Sequence, residues 1–194
     1  ISECLVGSEM CIRDRGWQDY NYIKYARVAE EDPNAVVSFH YYLPMLLSHY
    51  KMLAWVGYQG AVQYPGVVIP TQSDADKYPQ YASFHKTTYN ADRIMGEMSN
   101  AASDGRNAGL AVHCGEFGCS KNVAEAMRLA WFTDMVAAME ANNIPWTLWE
   151  CLDGGFGFVD MEYGIYRINC PLLKVLTGKE SVSYTHLRAH ETLA

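Results

Sequence analysis

Leu110-Ala111-Val112-His113-Cys114 runs directly into Gly115-Glu116-Phe117-Gly118. The apolar part is short enough for a buried strand and too short for a helix. A carboxylate follows, set between glycines that let another group or a ligand come close. Two other segments share this character. Ala35-Val36-Val37-Ser38-Phe39-His40-Tyr41-Tyr42 is rich in β-branched and aromatic residues, and Ile144-Pro145-Trp146-Thr147-Leu148-Trp149 ends on an indole. Both read as short strands.

Helical periodicity fills the intervals. Residues 18–31 carry Tyr22, Tyr25, Ala26 and Ala29 at helical spacing and stop at Asp32-Pro33-Asn34. Residues 81–102 read as a helix ending at Asp104-Gly105. Residues 121–142 give the clearest apolar stripe, through Val123, Met127, Ala130, Trp131, Met135, Ala138 and Met139. A last helix at 171–177 is closed by Gly178. Residues 43–80, with Pro44, Pro65, Pro70 and Pro79, read as a long loop.

Alternating helices and strands imply a parallel α/β sheet with crossover helices. A doubly wound sheet and part of a (β/α)8 barrel both satisfy the pattern. No glycine-rich phosphate loop follows a strand, which disfavours a nucleotide site. His40, Tyr42, Glu116, Trp149 and Glu150 all fall at the carboxyl ends of strands, the face on which barrel enzymes work.

The formal net charge is −7 without Lys/Arg clusters, so nucleic acid and anionic membranes are poor partners. No run of about 18 apolar residues encodes a membrane-spanning helix. With 49% hydrophobic residues the chain has material for a core. Its 14 Tyr and 5 Trp suit sugar rings and packed interiors equally.

An ionised Glu116 can attack the anomeric carbon of a sugar and form a covalent intermediate. A salt-bridged Glu at a strand end fits the same spacing. His40 and Tyr42, two apart on one strand, face one side. The phenol can hold a carboxylate ionised, and the imidazole can bond a hydroxyl or a second carboxylate. Trp149 can floor a sugar subsite. Trp131, Trp146 and Trp55, taken alone, read as packing.

Ser38-Phe39-His40-Tyr41-Tyr42, with His49, Trp55 and Tyr64-Pro65-Gly66 after it, resembles the sixth-strand His-x-Tyr motif of glycoside hydrolase family 5. Gly115-Glu116-Phe117-Gly118 matches that family's seventh-strand nucleophile motif, and Ile144 to Trp149 is similar to its eighth strand. Phe156-Gly157-Phe158-Val159-Asp160 and Leu172-Leu173-Lys174-Val175-Leu176 resemble its closing loop and final helix. The resemblance implies the C-terminal part of a (β/α)8 TIM barrel, about strands 6–8 with their helices. It implies retaining hydrolysis of a β-1,4-linked glucan, with mannanase or another β-glycanase, or a non-catalytic carbohydrate-binding remnant, as alternatives. Glu116 is the implied nucleophile, with Tyr42 and His40 beside it. Trp149, His40 and Trp55 are the implied substrate contacts.

No metal and no organic cofactor are implied. The implied partner is a β-linked polysaccharide or oligosaccharide, and the implied parent enzyme is a secreted monomer whose signal peptide is not observable in this chain. The family's acid/base Glu follows an Asn at the end of the fourth strand, and no Asn-Glu pair occurs in the sequence. Retaining hydrolysis needs two carboxyls roughly 5–5.5 Å apart. The chain is therefore expected to lack turnover by itself.

Residues 1–15 and 181–194 resemble translated sequencing-adaptor segments, which leaves 16–180 as the expected catalytic-domain segment. Among the cysteines, Cys114, Cys119, Cys151 and Cys170 lack zinc-site spacing. A Cys151–Cys170 disulfide and four buried free thiols remain open readings.

Overall fold

The structure is a computed structural model that describes residues 19–26, 32, 34–52, 57–152, 154–163 and 165–180. The adaptor-like termini lie outside the described residues. Two compact units emerge, each assembled from separated stretches of chain. The described residues of the first fall within Ile1–Tyr41, Asp92–Phe117 and Ala137–Leu148, and those of the second within Tyr42–Ala91, Gly118–Val136 and Trp149–Ala194.

The elements in chain order are β1 (Val36–Tyr41), α1 (Met45–Ser48), β2 (Gly66–Val67), α2 (Gln72–Lys77), β3 (Thr88–Tyr89) and α3 (Ala91–Ala108). They continue with β4 (Ala111–Phe117), α4 (Glu125–Ala141), β5 (Trp146–Leu148), β6 (Val159–Glu162), β7 (Ile165–Ile168) and α5 (Cys170–Thr177). Short 3-10 helices at Tyr20–Tyr25 and Pro79–Lys86 complete the set.

The three strands expected from the sequence form one sheet in the first unit, ordered β1-β4-β5 and parallel throughout. Its apolar face is closed by Phe39, Tyr41, Cys114 and Phe117, all fully buried or nearly so. Phe117 meets Trp146 edge to face at 5.3 Å between ring centroids. α3 reaches Ala108, beyond the expected stop at Asp104-Gly105, and Gly109 takes the positive φ that ends it. Gly105 lies inside the helix for a packing reason. A Cβ there would sit 2.1 Å from Val112 Cγ2, so only glycine lets the helix close on β4.

Other expectations shift. The described part of the segment 18–31 is a 3-10 helix, Tyr20–Tyr25, with Asp19 capping Asn21 N–H. The long loop 43–80 contains α1, β2 and α2. The helix expected from residue 81 begins only at Ala91. Before it, the 3-10 turns 79–86 lead into β3, where Thr88 and Tyr89 pair with Val67 and Gly66. Local propensity for helix yields there to strand pairing of β-branched and aromatic residues.

In the second unit α4 buries Trp131, Phe132 and Met135. The antiparallel pair β6–β7 was not expected from the sequence. α5 follows the expected rules: the Asn169 side chain caps Leu172 N–H at 2.9 Å, and Gly178 closes the helix at φ 67°. Leu172 is fully buried, a burial that contributes about 1.5–3 kcal/mol.

Candidate active site

The sheet's register creates the central pair. β1 and β4 run in step from Val36↔Ala111 to Phe39↔Cys114, and then His40 pairs with Glu116. Cys114 and Phe117 likewise span the two-residue interval Trp146 to Leu148 on β5. β4 thus carries one extra residue, Gly115, relative to both neighbours. Strict alternation would turn Glu116 to the same side as the buried Cys114. The bulge instead returns Phe117 to that apolar side and leaves Glu116 opposite His40 on the polar one. Glycine suits this position, because a Cβ would stand 2.4 Å from Ser38 Oγ and force that side chain to shift.

On the polar side, His40 Nδ1 lies 3.2 Å from Glu116 Oε2, with side-chain exposures of 24% and 28%. An Nδ1–H tautomer of His40 donates to this oxygen and so fixes the carboxylate's direction. The pair is partly open to an incoming group. One step down the sheet, His113 spans all three strands, with Nδ1 3.2 Å from Ser38 Oγ and Nε2 3.1 Å from Thr147 Oγ1. Burial lowers the His113 pKa from its ordinary value, which favours the neutral ring.

The second unit holds the other named residues. Tyr42 packs against His49 at 4.9 Å and against Phe156 at 5.7 Å between centroids, and His49 meets Phe156 at 5.1 Å. Ser48 Oγ lies 2.9 Å from His49 Nδ1 and donates to the Tyr42 carbonyl. Desolvation lowers the His49 pKa. Trp149 is 46% exposed, a large indole face left to solvent. The Trp149–Glu150 peptide is cis, and Glu150 Oε1 is buried without a hydrogen-bond partner among the described residues. Trp55 lies outside the described residues.

Arg128, on α4, is only 5% exposed. Its Nε donates to the Cys119 carbonyl at 2.9 Å, and Nη2 donates to the carbonyls of Phe156 and Gly157. Hydrogen bonds to a charged group contribute roughly 1.5–3 kcal/mol each. A charge inside the apolar stripe of α4, at the position after Met127, was the one available signal of this buried cation.

The cysteines separate by burial. Cys114 and Cys119 are buried free thiols whose pKa values burial pushes up to about 12. Cys151 is exposed and Cys170 partly exposed, both free. Neither the disulfide reading nor the reading of four buried thiols describes the structure. Among the described residues, no cluster of three His, Cys, Asp or Glu side chains could hold a metal ion. No described helix is long and apolar enough to cross a membrane.

The geometry thus comes down to a carboxylate beside an imidazole on a parallel β/α sheet. The model of the family "Cellulase (glycosyl hydrolase family 5)" matches residues 7–155, and the chain belongs to glycoside hydrolase family 5, a family of (β/α)8 barrels. Two curated relatives are Endoglucanase C of Acetivibrio thermocellus and Endoglucanase C307 of Clostridium sp. (strain F1). Each is 22% identical over 144 residues, covering 71% of this chain and 40% of the relative. The chain thus spans well under half the length of these relatives. Among solved structures, one named endoglucanase superimposes with a TM-score of 0.62 at 18% identity, covering 84% of this chain and 45% of that one. Thermotoga maritima Cel5A in complex with cellobiose gives 0.57 at 19% identity, covering 81% and 44%. These likenesses carry the fold.

Proposed function

We propose that this chain carries the nucleophile side of a retaining endo-β-1,4-glucanase. In this reading β1, β4 and β5 are the sixth, seventh and eighth strands of the barrel, and residues 16–180 are the native segment. The approach of His40 to Glu116 across a glycine bulge carries the proposal. It leaves a directed, accessible carboxylate where a covalent intermediate needs one. Glu116 attacks the anomeric carbon, a C–O bond forms, and the bond to the leaving oxygen breaks. The family resemblance assigns the Tyr42 phenol to the nucleophile's support, and Trp149 offers its exposed face to a glucose ring.

The partner carboxyl, which protonates the leaving oxygen and later activates water, comes from another part of the parent enzyme. No Asn-Glu dipeptide occurs in the 194 residues. General acid–base catalysis contributes typically about 10²–10⁴-fold, so this chain alone does not turn over unactivated glycan. A β-1,4-glucan substrate is supported by relatives named endoglucanase, and by neighbours described with cellobiose and as an endo-beta-1,4-glucanase with substrate. A neighbour described with mannotriose keeps a mannan substrate as the variant reading.

The test uses a substrate whose leaving group needs no proton. With 2,4-dinitrophenyl β-cellobioside the chain should release a burst of about one equivalent of dinitrophenolate, then slow as the glycosyl-enzyme waits for a base. Cellulose should yield no new reducing ends. The mannobioside analogue should react more slowly. Saturable cellobioside binding with no burst would leave only a carbohydrate-binding remnant.

A further inference from the structure

Arg128 sits where an amphipathic helix normally keeps apolar side chains, and it is buried with them. Its guanidinium carbon lies 5.4 Å from the Phe132 ring centroid. Its N–H groups reach two chain segments distant in sequence. One is the turn after the nucleophile strand, through the Cys119 carbonyl. The other is the loop after Trp149, through the carbonyls of Phe156 and Gly157. These segments are already pressed together. A Cβ on Gly118 would stand 2.2 Å from the Trp149 carbonyl oxygen and 3.0 Å from Phe156, and Lys121 N–H donates to the Gly155 carbonyl at 2.7 Å. Phe156 in turn is the ring against which Tyr42 and His49 pack.

We propose that Arg128 is a positioning residue for glucan binding: its guanidinium clamps the loop after the nucleophile strand to the loop after Trp149, and so fixes the aromatic surface that receives the sugar. The proposal rests on the β-glucanase reading. The clamp needs a planar fork whose donors diverge to three carbonyls at once. A lysine ammonium keeps the charge but is a compact point donor and cannot span them. A methionine keeps the bulk and strands the carbonyls. Because the carbonyls that Arg128 holds belong to loops, its loss should weaken sugar capture without slowing attack once sugar is bound.

The burst of dinitrophenolate separates these quantities, its concentration dependence giving a half-saturation point and a limiting rate. R128K and R128M are measured beside the wild-type chain, at a temperature where circular dichroism shows all three folded. Half-saturation is expected to rise about fivefold or more in both variants, with the limiting rate kept within about twofold. Unchanged half-saturation in both folded variants overturns the proposal, as does a limiting rate that falls at constant half-saturation. Absence of a burst in the wild-type chain instead defeats the glucanase reading. The clamp is then judged by amide hydrogen exchange. Faster exchange at Ser120 and Lys121, whose N–H groups donate to Ser48 and Gly155, supports it in R128K, and wild-type protection there overturns it.

Discussion

His40 Nδ1 stands 3.2 Å from Glu116 Oε2 because β4 holds one residue more than β1 between Cys114 and Glu116. That extra residue is Gly115, and the site depends on its having no side chain. G115A should destabilise the fold by about 1–3 kcal/mol, the usual range for overpacking, and should remove the dinitrophenolate burst. S38A removes the atom that a Cβ would strike. The double variant G115A/S38A should therefore recover part of the lost stability, read as a coupling term in a urea-denaturation cycle. Strict additivity of the two substitutions would contradict this account of the bulge.

The pH dependence of stability has a defined sign. His49 and His113 both have pKa values lowered by burial. In the unfolded chain such groups take up protons at about pH 6.5. The folded state then binds fewer protons than the unfolded state, so stability is full above that pH and falls as pH drops through it. The thermal midpoint should decline between pH 7.5 and 5.5. H113Q should make that decline shallower, since it removes one of the two groups. An equal slope in H113Q would show that His113 titrates freely in the folded protein.

Thiol reactivity should follow burial. In native protein, iodoacetamide should modify Cys151 well before Cys114 or Cys119, whose thiols are buried and pushed up to about 12. Peptide mapping after a timed exposure reads the order. Modification of Cys114 should track global unfolding, so denaturant should bring it to the rate of Cys151. Early native-state labelling of Cys114 would place it outside the apolar side of the sheet.

Trp149 offers its exposed indole as the sugar platform in the proposed reading. W149A should raise the half-saturating cellobioside concentration about tenfold, the equivalent of about 1.4 kcal/mol. Its limiting burst rate should change less. An unaltered half-saturation in W149A would remove the indole from the binding surface.

Much of this was legible in the sequence, and the exceptions share a cause. The segments carrying His40, Glu116 and Trp146 form strands because short β-branched and aromatic runs state their own conformation. The spacing of Trp131, Met135, Ala138 and Met139 declares the buried face of α4. The bulge was not legible. Gly115 becomes an extra residue only relative to the registers of β1 and β5, and register is a property of pairs of strands. Arg128 reads along the chain as one more helix charge, because its partners lie 9, 28 and 29 residues away. The 3-10 turns at 79–86 and the β2–β3 pairing escaped for the same reason, since residues 66–67 decide the state of 88–89. Tyr42 directly follows β1, which ends at Tyr41. Its packing against His49 and Phe156 depends on loops whose course no local pattern encodes.

The most direct measurement traps the proposed nucleophile. The chain is incubated with 2,4-dinitrophenyl 2-deoxy-2-fluoro-β-cellobioside, whose leaving group departs without a general acid and whose fluorine slows release of the bound sugar. Intact-protein mass should rise by one fluorocellobiosyl group, peptide mapping should place it on Glu116, and E116Q should stay unmodified. An adduct on another carboxylate, an equal adduct in E116Q, or no adduct on folded wild-type protein would contradict the assignment.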